Sequence, residues 1–126
     1  IKEIFMQYGE EKFREVESIM LAETENLINS VISTGGGIVI SNTNREFLKK
    51  KRVYFLNNSV EILFERATKK RDQRPLLKDI TLYEFKSIYK NRMKLYQECA
   101  NITINTENKS INETVEEISN HEKFSF

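Results

Sequence analysis

Four groups of residues in this chain combine side-chain type and spacing in ways that could do chemistry. The first is Phe13-Arg14-x-x-Glu17. Residues three apart on a helix lie on one side. Glu17 can therefore hold the Arg14 guanidinium in one orientation and leave its other donors to fork onto a carboxylate. The competing reading is a surface ion pair worth well under ~1 kcal/mol. The second group is Ser33-Thr34-Gly35-Gly36-Gly37, behind the apolar pair Val31-Ile32. Backbone N–H groups bared by three glycines could bind an anion or hydroxyls, and open α/β sheets take ligands beyond the carboxyl ends of their strands. A flexible turn is the alternative, although three glycines are costly in chain entropy. The third is Arg71-x-x-Arg74-Pro75-Leu76-Leu77, a basic segment between two helices. It could close over a phosphate and bring positive charge to a transferred group, or it could be a solvated loop. The fourth is Arg92-x-x-x-Tyr96, a pair sharing one helix face, where Arg92 could equally cover apolar surface with its stem.

Other candidates point to structure. Lys49-Lys50-Lys51-Arg52 suits a helix C-terminus favoured by its dipole. His121, the single histidine, falls in a polar tail and reads as inert. Cys99 is the single cysteine, so an internal disulfide is excluded, a reducing compartment such as the cytoplasm fits, and a packing role is expected. With no Cys/His cluster there is no zinc pattern.

The elements that must position these groups follow from hydrophobic periodicity. Ile1, Ile4, Phe5 and Tyr8 have helical spacing, Gly9 breaks it, and Phe13, Val16, Ile19, Met20 and Leu27 resume it in a second helix. Val31-Ile32-Ser33 reads as a short strand. Ser41 to Lys50 reads as a capped surface helix. Val53 to Leu56 reads as a strand covered on both faces. Ser59 caps a helix with Val60, Leu63, Phe64 and Ala67 on one face. Pro75 sets a helix boundary at Arg74. Thr81 to Cys99 forms a long helix, and Ile102-Thr103-Ile104 alternates as an edge strand would. Ser110 and Glu113 have capping-box spacing before a last helix, with a frayed tail after Asn120. Helices and strands alternate, so the class is α/β with a parallel sheet flanked by helices, in one domain over 1–126.

Bulk properties exclude several classes. The 126 residues are 39% hydrophobic and 31% charged, ordinary for a globular domain. With 20 basic against 19 acidic residues, the net charge of +1 gives no footprint for nucleic acid or an anionic membrane. No run approaches the roughly 18 apolar residues of a membrane span, and there is no signal-peptide pattern.

Taken in order, Ile1-x-x-Ile4-Phe5, Gly9-Glu10, Phe13-Arg14-x-x-Glu17, Val31-Ile32-Ser33-Thr34-Gly35-Gly36-Gly37, Arg74-Pro75-Leu76-Leu77 and Arg92-x-x-x-Tyr96 resemble shikimate kinase over roughly residues 1 to 118. All four glycines and the only proline fall inside these motifs. The resemblance implies a P-loop kinase fold of the nucleoside monophosphate kinase type. It implies transfer of the ATP γ-phosphate to the 3-hydroxyl of shikimate, with ATP and Mg2+ as cofactors and a monomeric protein. Arg14 would bind the shikimate carboxylate, with Glu17 orienting it and Arg92 as second ligand. Gly36, flanked by Gly35 and Gly37, would meet the substrate through its backbone. Ile1, Phe5 and Phe13 would wall the pocket within substrate-binding helices over 1–30. Arg74 would be the catalytic arginine of a lid over 68–80, and Arg66 and Lys109 would flank the adenine.

Lys94 departs from the family's usual proline in the Arg-x-Pro-x-Tyr run. No G-x-x-x-x-G-K-[ST] motif occurs, so the resemblance implies that the reading frame continues upstream into a phosphate-binding loop and that this fragment alone is inactive. Two other readings follow from the same residues: a non-catalytic module binding a small hydroxy-carboxylate, and a kinase of another acid such as gluconate.

Overall fold

The fold starts from two short apolar runs that find each other. In the computed structural model, which describes residues 1–69 and 79–123, Tyr54–Asn57 (β1) and Ile102–Asn105 (β2) pair as parallel strands, with Tyr54 opposite Ile102 and Asn57 opposite Asn105. Between them run the helices Val60–Thr68 (α3) and Leu82–Cys99 (α4), a crossover of the kind a parallel pair requires. Lys2–Glu23 (α1) and Asn42–Leu48 (α2) precede the sheet, and Ile111–Lys123 (α5) follows it. Side-chain caps start α2, α3 and α4: Ser41, Ser59 and Thr81 accept from the N–H groups of Asn44, Ile62 and Glu84. The box at α5 is reciprocal, with Ser110 Oγ accepting from the Glu113 N–H at 3.1 Å and a Glu113 carboxylate oxygen accepting from the Ser110 N–H at 3.4 Å.

Gly9 interrupts α1 at φ 82°, ψ 179°. An L side chain rarely adopts that conformation, so glycine lets one helix enter and another leave at an angle. The expected break at this residue is therefore present.

The core lies where α1, α2 and α4 converge on a turn of 3-10 helix over Gly36–Ile40. Leu21, Ile38, Val39, Leu48 and Cys99 are its buried members, with Phe47, Val53, Leu95 and Tyr96 packed against them. Rings run along α4: Phe85 meets Phe64 at 5.4 Å and Tyr89 at 6.4 Å, and Tyr96 meets Phe55 at 5.0 Å. The Tyr89 hydroxyl donates to Asn57 Oδ1 at the end of β1, and burial pushes that phenol's pKa up. Burial likewise raises the thiol of Cys99, which is 5% exposed. Cys99 is therefore expected to react with iodoacetamide at pH 8 at least about tenfold more slowly in the folded chain than in urea, because the thiolate is the nucleophile. Mass spectrometry of timed samples reads this, and equal rates in both conditions would show that the core is open.

Several expectations need correction. Val31-Ile32-Ser33 forms no strand, and Val31 is 98% exposed. A ladder needs a neighbour, and no strand lies beside this segment among the described residues. β1 is likewise not covered on both faces, since Leu56 is 46% exposed, and among the described residues β1 pairs only with β2. Leu27 falls beyond α1, after a short 3-10 turn at Thr24–Asn26. The C-terminal helix continues past Asn120 to Lys123, because Glu122 accepts from Arg52 Nε at 3.0 Å and from the Tyr54 hydroxyl. His121 accordingly sits in a helix beside the Tyr54 ring, 6.3 Å between centroids, rather than in a frayed tail.

Candidate active site

Arg14 and Glu17 face one another on the second part of α1. Arg14 Nη1 donates to Glu17 Oε2 at 3.0 Å, and both side chains are largely covered. Glu10, one turn earlier, brings a carboxylate oxygen to 3.7 Å from Arg14 Nε. That is an ion-pair distance but too long for a hydrogen bond. The buried Nε has no hydrogen-bond partner among the described residues. Phe13 lies beneath the guanidinium, 5.2 Å from Cζ to the ring centroid, and Phe5 packs on Phe13 at 4.8 Å. The two rings thus wall one side of Arg14.

The glycine turn also lies against Arg14. A Cβ on Gly37 would stand 2.2 Å from Arg14 Nη1, 2.7 Å from Cζ and 2.8 Å from Nη2, so the guanidinium lies directly against the Gly37 backbone. A Cβ on Gly35 would meet Glu17 Oε1 at 3.7 Å, and one on Gly36 would meet the Tyr96 hydroxyl at 3.0 Å. That hydroxyl donates to the Gly36 carbonyl at 2.9 Å. The next carbonyls are held from α2. Asn44 Nδ2 donates to Ile38 at 3.0 Å, and Arg45 Nη1 donates to Val39 at 2.7 Å and Ile40 at 3.0 Å. Arg45 also pairs with Glu98 of α4 at 3.0 Å.

Arg14, Glu17, Gly35, Gly36 and Gly37 are thus brought together, with Phe5 and Phe13 alongside. Arg92 lies one helical turn before Tyr96 on the same side of α4, half-buried, its side chain without a hydrogen bond or ion pair among the described residues. α4 runs unbroken through Lys94, so the absent proline leaves this helix continuous. Arg66 stands exposed in the last turn of α3, and Lys109 pairs with Glu117 of α5, so neither belongs to the Arg14 group. Arg74, with most of the expected lid, lies outside the described residues. Asn44, Arg45 and the carbonyl bond of Tyr96 escaped the sequence reading, and Glu10 entered it only within the Gly9-Glu10 motif. The signal for its ion pair was the i,i+4 spacing to Arg14.

A fixed, partly desolvated guanidinium with spare donors, beside bare backbone N–H groups and aromatic walls, suits a small hydroxylated carboxylate. Among the described residues no three His, Cys, Asp or Glu side chains gather to hold a metal ion, and no helix is long and apolar enough to cross a membrane. The donors gathered here, a guanidinium and backbone N–H groups, fit an organic anion.

Known proteins resemble this chain in sequence and in fold. The shikimate kinase family model matches residues 1–122. A shikimate kinase of Enterococcus faecalis is 39% identical over 120 residues, covering 94% of this chain and 71% of the relative. One from Dictyoglomus turgidum is 38% identical over 122 residues, 94% and 70% of the two chains. The solved shikimate kinase from Acinetobacter baumannii in complex with shikimate superposes with a TM-score of 0.85 at 32% identity, over 99% of this chain and 70% of that one. The Bacteroides thetaiotaomicron enzyme gives 0.74 at 30% identity, over 97% and 72%. Family match, identity and fold coincide along nearly the whole chain, which therefore belongs to the shikimate kinase family, ATP-dependent kinases of aromatic amino-acid biosynthesis.

Proposed function

We propose that the cleft between α1, the glycine turn and α4 is the shikimate pocket of this kinase, and that residues 1–30 form its substrate-binding helices. The observation that carries this is the Arg14 guanidinium, held by Glu17 and laid against Gly37. In that position its free donors can fork onto the shikimate carboxylate, with Arg92 closing from α4. Phe5 and Phe13 wall the ring, and the N–H groups of Gly36 and Gly37, with Gly35 giving clearance, address its hydroxyls.

The family uses ATP and Mg2+. Transfer of a γ-phosphoryl group needs positioning and positive charge more than a protein nucleophile. Arg74, in a lid over 68–80, would bring that charge to the phosphates, and Arg66 and Lys109 would flank the adenine. Both lie on elements following the carboxyl ends of the two strands, where nucleotides sit in open α/β sheets. The protein is taken to act as a cytoplasmic monomer, a setting that suits its single free thiol.

Titration calorimetry with shikimate tests the pocket. Arg14→Lys keeps the charge but loses the planar fork, so affinity should fall about tenfold or more while the melting temperature barely moves. Equal affinity in the two proteins would sink the assignment of Arg14 to the carboxylate.

A further inference from the structure

Resting on that pocket, the geometry points to Tyr96 as a positioning residue that aims the Gly37 N–H at a hydroxyl of the substrate. The Gly36 carbonyl and the Gly37 N–H belong to one peptide unit. No cis bond occurs among the described residues, so the two groups point in opposite directions across a rigid plane. The Tyr96 hydroxyl holds the carbonyl at 2.9 Å, and this turns the N–H away from α4. The 3-10 turn over Gly36–Ile40 already engages this peptide, and the Tyr96 bond narrows the angular range that two glycines leave it. The Gly37 N–H has no acceptor among the described residues, and the first backbone bond of the turn is made by Ile38, whose N–H donates to the Gly35 carbonyl at 3.3 Å. A donor that is bare, fixed in direction and beside the Arg14 guanidinium can meet a hydroxyl on the substrate ring next to the carboxylate that Arg14 takes.

Tyr96 itself is fixed by packing. Its ring lies 5.0 Å from Phe55 and 6.3 Å from Tyr89, so the hydroxyl is delivered from a set position. Tyr96 shares a helix face with Arg92, so one side chain registers both the glycine turn and the second carboxylate ligand.

Tyr96→Phe removes the oxygen and keeps the ring. By calorimetry its affinity for shikimate should drop about three- to tenfold, the loss of one hydrogen bond, with an unchanged melting temperature. The readout that a structural role would not move is a comparison with analogues each lacking one ring hydroxyl. For the analogue missing the hydroxyl that Gly37 addresses, the two proteins should bind alike. Independently of any variant, the Gly37 amide signal in a 15N–1H spectrum of the unaltered chain should shift when shikimate is added. A uniform weakening across all analogues, no weakening at all, or an unmoved Gly37 signal would each overturn the assignment. Failure of the unaltered chain to bind shikimate would instead overturn the pocket beneath it.

Discussion

Gly37→Ala is expected to lower shikimate affinity on the order of a hundredfold while leaving the chain folded. The added methyl would fall 2.2 Å from Arg14 Nη1, a distance no real Cβ keeps. What it meets is the far end of a flexible side chain, so the clash is relieved by moving the guanidinium and costs little in stability. The functional cost comes from that same movement. Arg14 leaves the place where Glu17 holds it at 3.0 Å, and a charged bidentate contact of about 1.5–3 kcal/mol is lost. The methyl also blocks close approach of a ligand to the backbone. Calorimetry paired with thermal melting checks both halves. Affinity within a factor of three of the unaltered chain, at equal stability, would show that Arg14 is free to bind from another position.

Ile104→Ala should have the largest effect on folding, about 2–5 kcal/mol. Ile104 is 1% exposed, the most buried large side chain among the described residues, and it stands opposite Leu56 in the parallel ladder. Truncation removes buried apolar area and leaves a cavity in a small core. Against a typical domain stability of about 5–15 kcal/mol, that is a large fraction. Urea titration followed by circular dichroism measures it. A loss under 1 kcal/mol would mean that the sheet relaxes to fill the space.

Much of the proposed substrate side was legible because it is local. Helical spacing alone puts Arg14 beside Glu17, and three consecutive glycines announce a close approach whatever the fold. The caps at Ser41, Ser59 and Ser110 were legible for the same reason, since each is settled within four residues. Tertiary contacts were not. The bond from Tyr96 to Gly36 spans 60 positions, and the role of Asn44, at 3% exposure, is set by a carbonyl six residues away that no residue type encodes. Val31-Ile32-Ser33 misled because apolar character shows only that a segment could join a sheet. Whether it does depends on a neighbouring strand.

The glycine turn differs from most recognition loops, which ride on a scaffold and drift without disturbing it. Here Ile38 and Val39 are themselves the core, and the backbone that carries them is the proposed recognition surface. Evolution therefore has little freedom to retune this surface by insertion or deletion, since each change of length would also repack the interior. New acceptors would have to be accommodated from the helices around the turn, at positions such as 5, 13 and 92, which vary one side chain at a time.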